Sequence, residues 1–262
     1  MLTLAQVSCG YNENFSLRDV SLDFRNNEIV GIIGPNGSGK TTLLRAITKA
    51  VALRQGTVAL NGIDLATMSA RRLAHSVSVV SQDAYIPPDI TVEEFVALGR
   101  IPHQRRLQLF ESHKDKAVVR EALELAGIAA CAGRDIHALS GGERQLAVIA
   151  KALAQEPQLL LLDEPVVYLD IAHQVEILNC MLRLREKKNI GVIVTLHELN
   201  LAGEYCDRLV LLNQGRVHAV GRPRDILTAE IIEQVYHTPV LIRSHPLSGK
   251  PYVMVVPEQA RK

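Results

Sequence analysis

Apolar and polar positions alternate loosely over the first 25 residues, with Leu2, Leu4 and Val7 before the polar stretch Gly10-Tyr11-Asn12-Glu13-Asn14 and Leu17, Val20, Leu22 and Phe24 after it. Period two on both sides of a turn predicts an antiparallel edge pair. The run Glu28-Ile29-Val30-Gly31-Ile32-Ile33 then reads as a strand, and Leu43-Leu44-Arg45-Ala46-Ile47 as a helix. Short strands follow at 57–60, before the turn signal Asn61-Gly62, and at 76–80, with Gln82 just beyond. From 85 to 157 the pattern turns helical, opened by Pro87-Pro88 and by a capping-type start at Thr91-Val92-Glu93-Glu94. Leu159-Leu160-Leu161-Leu162 is apolar on both faces, as a central strand of a parallel sheet is. A helix over 171–187 leads to a second such strand at 190–195. Beyond 208, two strands flank Asn213-Gln214-Gly215 as a hairpin, a helical stretch covers 223–236, and 239–262 reads strand, turn, strand.

Alternating strands and helices predict an α/β fold with a doubly wound, mostly parallel sheet, antiparallel strands at its N-terminus and an inserted helical lobe. The core would be 1–84 with 158–238, the lobe 85–157 and a hairpin-like extension 239–262. Ligands of such sheets bind at the carboxyl ends of the strands. Residues 34–42, Asp163-Glu164 and His197 all fall at such ends.

Length leaves either one large domain or two unequal lobes open at 262 residues. Lys and Arg total 29 against 28 Asp and Glu, with no long basic block, so the electrostatic footprint of a dedicated nucleic-acid binder is missing. Cys9, Cys131, Cys180 and Cys206 are far apart, which argues against a zinc site or a disulfide framework and for small buried thiols in a reducing compartment. No apolar run approaches a membrane span and Met1-Leu2-Thr3-Leu4-Ala5-Gln6 lacks the regions of a signal peptide, so the expectation is a soluble, unexported protein.

Chemistry concentrates first in Gly34-Pro35-Asn36-Gly37-Ser38-Gly39-Lys40-Thr41-Thr42, a match to G-x-x-x-x-G-K-[ST] between a strand and a helix. Glycines there let successive N–H groups face polyphosphate, and the following helix aims its N-terminal dipole at the same anion. Lys40 would reach the β- and γ-phosphates, and the Thr41 hydroxyl would ligate Mg²⁺. An ordinary glycine-rich turn would not demand Lys-Thr at its end. Asp163 would hold Mg²⁺ through a water and Glu164 would take a proton from the water that attacks the γ-phosphate. His197 could donate to the γ-phosphate or hold that water. Ser140, with the free N–H groups of Gly141 and Gly142, opens a helix with apolar residues at 146, 149, 150 and 153, and forms a second anion-seeking helix end.

Leu139-Ser140-Gly141-Gly142-Glu143-Arg144-Gln145 together with the phosphate loop resembles the ATP-binding subunit of ABC transporters over essentially the whole chain. The resemblance implies a P-loop NTPase core of RecA-like type and a head-to-tail homodimer, each ATP lying between the loop of one subunit and the LSGG signature of the other. It implies Tyr11 as the aromatic that stacks on adenine and Gln82 as the residue that contacts Mg²⁺ and senses the γ-phosphate. It further implies Asp163 and Glu164 as magnesium and base residues, Asp170 as an aspartate facing the other subunit and His197 as the switch histidine. Val166-Val167-Tyr168 departs from the hydroxyl-bearing residues common there, which bears on the geometry of the loop before Asp170. Glu143 stands where many members have Gln.

Three further segments are similar to subunits that serve iron-siderophore, haem and cobalamin importers: 91–103, 195–202 and His245-Pro246-Leu247-Ser248-Gly249-Lys250-Pro251. That resemblance implies a cytoplasmic ATPase, peripheral on the inner face of the cell membrane. It would dock on two permease subunits and, through them, serve an extracytoplasmic binding protein. The competing expectation is a soluble ABC ATPase acting with a non-membrane partner such as a cofactor-assembly scaffold.

Overall fold

The computed structural model describes residues 2–12, 15–82, 84–104 and 112–257. In chain order its regular elements are β1 (Leu2–Asn12), β2 (Phe15–Phe24), β3 (Ile29–Ile33), α1 (Lys40–Ile47), β4 (Leu53–Leu60), β5 (Ile63–Asp64), α2 (Ala70–Ala74), β6 (Val77–Val80), α3 (Val92–Ala97) and α4 (His113–Ala126). They continue with α5 (Gly141–Ala154), β7 (Leu159–Leu162), α6 (Ile171–Lys188), β8 (Gly191–Thr195), α7 (Leu199–Tyr205), β9 (Arg208–Asn213) and β10 (Arg216–Gly221). The last are α8 (Pro223–Ile226), α9 (Ala229–Tyr236), β11 (Val240–Ser244) and β12 (Pro251–Val255). These elements form two compact units, 1–67 with 193–262, and 68–192.

In the first unit β1 pairs antiparallel with β2 and with β4, and β5 follows on β4. β1, with Val7 and Cys9 buried, runs on to Asn12, through the first three residues of the stretch 10–14 that the sequence reads as a turn. Glu13 and Asn14 lie outside the described residues. A second layer pairs β3 parallel with β9, from Val30 opposite Arg208 to Ile33 opposite Leu211, and β10 closes on β9 antiparallel. Every residue of β3 is buried, which fits a strand covered on both faces. Leu196 N–H donates to Ile32 O at 3.1 Å, so the end of β8 runs beside β3. The helical stretch read over 223–236 is two helices. Leu227 leaves helical geometry at ψ 63, and the Thr228 hydroxyl caps a new helix by accepting from Ile231 N–H at 3.3 Å. The hairpin β11–β12 is clasped by Asn200 of α7, whose amide donates to Val253 O at 3.1 Å and accepts from Val253 N–H at 2.7 Å.

In the second unit β6 and β7 pair parallel, Val77 to Val80 against Leu159 to Leu162, and Gly191 N–H donates to Gln158 O at 3.1 Å where β8 begins. Helices α3 to α6 pack on one another around Phe95, Val119, Leu123, Ile149 and Ile177. The start read at Thr91 is a full capping box: Thr91 Oγ1 accepts from Glu94 N–H, and Thr91 N–H donates to Glu94 at 2.8 Å. The α/β architecture with a mostly parallel sheet, an antiparallel N-terminal sheet and added helices is thus the one the sequence predicts. Among the described residues no helix is long and apolar enough to cross a membrane.

Candidate functional site

The phosphate loop belongs to the first unit, between the buried strand β3 and α1. Gly34 sits at φ 148, and a Cβ there would come within 2.2 Å of the Leu212 carbonyl oxygen, so only glycine lets the loop leave β3 so close to the end of β9. Gly215 N–H donates to Ser38 O at 3.1 Å, which ties the turn between β9 and β10 to the loop. Behind it, the Tyr236 hydroxyl at the end of α9 shares a hydrogen bond with the Gly34 backbone, and burial pushes that phenol up to about 12. Lys40 is almost fully buried and folds back, its Nζ donating to Gly34 O at 3.0 Å and Pro35 O at 3.4 Å.

Several features of this loop fit a polyphosphate. The cap of α1 is Gly39, with no side-chain cap and no acidic residue in the first turn, so the positive helix end is left for an external anion. Ser38 Oγ is buried with no hydrogen-bond partner among the described residues, an orphan that a phosphate oxygen would satisfy. Asn36 and Gly37 are exposed at the rim, whereas Thr42 is buried and Thr41 partly so. Tyr11, half exposed, is held beside α1 by Arg45, which donates to the phenol oxygen at 2.8 Å and places its guanidinium carbon 5.6 Å from the ring centroid. His197, exposed, follows β8 directly after the Leu196 bond to β3.

Within the second unit Asp163 N–H donates to Val80 O at 2.9 Å, so Asp163 leaves β7 level with the end of β6, and Gln82 lies two residues past that point. Asp163 is buried, while Glu164 is half-buried and takes a left-handed backbone at φ 53. A non-glycine residue in that region is uncommon and turns its side chain out of the strand's alternation. The loop that follows is held through its carbonyls: Gln174 Nε2 donates to Val166 O at 3.3 Å and Leu169 O at 3.2 Å. Side-chain hydroxyls at 166–168 are therefore not needed to hold its course, and Tyr168 stands out almost fully exposed.

The same unit builds the second helix end. Ser140 caps α5, its Oγ accepting from Glu143 N–H at 3.2 Å, while Ser140 N–H donates to Glu143 at 2.9 Å. Glu143 is occupied by this box and by Arg134 at 3.3 Å, and the Ser140 backbone bond first of all holds its carboxyl below the usual range. The carboxylate variant at 143 is thus a capping partner, and Gly141 and Gly142 remain as the first-turn donors outside the box. Asp170 caps α6 and accepts from both the backbone N–H of His173 at 3.0 Å and its ring Nδ1 at 2.9 Å. His173 reaches Ser140, Nε2 to Oγ at 3.3 Å.

The first unit thus brings Tyr11, the loop 34–42 and His197 to the ends of its strands, and the second gathers Gln82 with Asp163 and Glu164 in one place and Ser140 to Gly142 with Asp170 in another. The sequence pattern missed Arg45, Tyr236 and His173. Arg45 was visible one helical turn after Thr41, and His173 three residues after Asp170; Tyr236 left no local signal.

A family model described as ABC transporter matches residues 17–167. The cobalamin import ATP-binding protein BtuD of Halobacterium salinarum is 39% identical over 243 residues, covering 93% of this chain and 60% of that protein, so the chain spans less than two thirds of that relative. The ferric enterobactin transport ATP-binding protein FepC of Escherichia coli is 36% identical over 249 residues, covering 95% of this chain and 92% of that protein. Among solved structures, a chain of a transporter described as of metal-chelate type, in an inward-facing conformation, superposes with a TM-score of 0.84 at 29% identity, covering 98% of this chain and 96% of the other. A bacterial ABC transporter cassette solved as a dimer gives 0.74 at 27% identity, covering 86% and 99%. With a phosphate loop, an acidic strand end and a capped LSGG helix in one α/β chain, and with relatives of this kind over nearly its whole length, the chain belongs to the ABC transporter family.

Proposed function

We propose that this chain is the ATP-hydrolysing subunit of an importer for a metal chelate, such as a ferric siderophore, haem or cobalamin, and that it works as a head-to-tail homodimer on two membrane permease subunits. One observation carries the two-copy reading: a single chain presents two helix N-termini suited to phosphate, α1 behind the loop 34–42 and α5 behind Ser140. Charge-assisted bonds to one polyphosphate from both would join two copies as neither half does alone. Asp170 would face the partner. The cargo class rests on the kind of transport that the relatives' names describe.

In this reading the loop amides, Ser38 and Lys40 hold the phosphates, and Tyr11 stacks on adenine. Thr41, Gln82 and Asp163 offer the hard oxygen donors that Mg²⁺ takes, and the ion when bound offsets charge on the β- and γ-phosphates. Glu164 accepts the proton of the attacking water as the water oxygen bonds to the γ-phosphorus and the bond to ADP breaks. His197 donates to the γ-phosphate or holds that water. Loss of the γ-phosphate removes the bridge between copies, and Gln82 with the segment behind it, 84–89, carries the change to the permease. The helical lobe 85–157 would frame that contact from the cytoplasmic side of the membrane.

In this reading the permease docks on the second unit, where Val79, Tyr85, Pro87, Leu98, Ile101 and Val148 line a groove of about 390 Å³. Tyr85 and Ile101 are 80% and 58% exposed, an arrangement suited to the apolar face of a short helix. Ile101→Glu is expected to weaken permease binding by about 2 kcal/mol, or ~30-fold, in detergent pull-downs. The wider reading is tested by expressing the chain with candidate permeases: recovery with the membrane fraction and Mg²⁺-dependent ATP hydrolysis are expected. An ATPase that stays in the soluble fraction with every candidate would overturn it.

A further inference from the structure

Among the described residues, His173 is the side chain that touches both the Asp170 cap and the signature serine. Asp170 accepts from the ring Nδ1 with both carboxylate oxygens, each at 2.9 Å, which places a ring proton on Nδ1; in the neutral ring Nε2 is then an acceptor. In that tautomer the Ser140 hydroxyl donates its hydrogen bond to Nε2. That bond, at 3.3 Å, is long for an O–H donor, so it aims the hydroxyl without holding it tightly. The other side of Ser140 Oγ is fixed by Glu143 N–H. With one lone pair and the proton both directed, the serine has few orientations left.

Gly142 shows how closely this ring is built in. A Cβ at 142 would meet His173 Cδ2 at 1.9 Å and Cγ at 2.1 Å. The second glycine of the signature thus leaves room for an imidazole that comes from the next helix, α6, and any side chain there would displace it. His173 packs on the first turn of α5 while its own ring is anchored to the cap of α6.

We propose that His173 is a positioning residue: oriented by Asp170, it aims the Ser140 hydroxyl, so that movement of the Asp170 loop is felt at the signature serine of the same subunit. This rests on the reading that Ser140 meets the γ-phosphate of a nucleotide held by a second copy. An anionic phosphate oxygen is a stronger acceptor than the neutral Nε2, so it takes the hydroxyl over from a direction already set. A displaced Asp170 turns the ring and withdraws that direction.

The test uses the full chain carrying Glu164→Gln and measures ATP-driven dimerisation by sedimentation, with nucleotide affinity of the dilute chain followed separately by a fluorescent ATP analogue. Asn at 173 keeps an amide donor near the Nδ1 position but cannot reach Ser140, whereas Gln reaches the Nε2 position. Ser140→Ala and His173→Asn are each expected to weaken dimerisation roughly tenfold, the pair together no more than Ser140→Ala alone, and His173→Gln is expected to recover most of the loss. Nucleotide affinity of the dilute chain should stay within about twofold throughout, a split that general loss of folding would not give. Additive losses in the double variant, or a His173→Gln variant as weak as His173→Asn, would overturn the positioning role. A Ser140→Ala variant that dimerises normally would instead overturn the reading of the serine on which the role depends.

Discussion

Glu164→Gln is expected to lower ATP turnover by ~10²-fold or more while nucleotide binding is retained. The amide keeps the shape and the hydrogen-bonding reach of the carboxylate but cannot take a proton from water. Glu164 follows the four buried leucines of β7 and turns out of the strand at φ 53, so its side chain is directed by backbone geometry that the substitution leaves in place. Lys40, Ser38 and the uncapped end of α1, on which phosphate binding depends in the proposed reading, lie in another part of the chain. Steady-state hydrolysis and equilibrium ATP binding measured on the same preparation separate the two effects. Turnover at the unsubstituted rate would remove Glu164 as the base.

Arg100→Ala is expected to cost about 3–5 kcal/mol of stability, read as a shift of the urea midpoint. Arg100 is 2% exposed, and its guanidinium donates to Asp115 at 2.9 Å, to Glu156 at 2.7 Å and to the Ala154 carbonyl at 2.6 Å. Removing it takes the guanidinium away from a buried carboxylate, which keeps its bonds to Ser112, and from the Ala154 carbonyl at the end of α5. Lysine would not replace it, since one ammonium cannot reproduce the fork. The Ser112 hydroxyl first, and Arg100 after it, hold the Asp115 carboxyl down to about 2 from an ordinary 3.8. A depressed folded value contributes stability that is complete above the unfolded value and is lost as pH falls through about 2. In Arg100→Ala part of that depression disappears, so the acid limb of the unfolding curve should move to higher pH.

Features that depend on neighbours in the chain were legible from residue pattern. The capping box at Thr91 and Glu94, the loop 34–42 between strand and helix, and the buried leucines before Asp163 are each encoded within a few residues. Features that depend on distant packing were not. Arg100 meets Asp115 from 15 positions away, Tyr236 reaches Gly34 from the far end of the chain, and nothing near residue 142 announces that its missing side chain makes room for His173. At Val166-Val167-Tyr168, where the sequence shows missing hydroxyls, Gln174 bonds the carbonyls of Val166 and Leu169, a contact that the residue pattern does not announce. Tyr11 reads as a turn residue because polar and small residues run together there, whereas β1 runs on to Asn12 with an irregular register between Gly10 and Asn12.

In the proposed reading, two helix ends suited to phosphate in one chain make dimerisation part of the chemistry. The most direct measurement is analytical ultracentrifugation of the Glu164→Gln chain with and without ATP and Mg²⁺, combined with a count of bound nucleotide. A dimer that forms only with ATP and holds one ATP per chain is the predicted result. A chain that stays monomeric with ATP fully bound would contradict it.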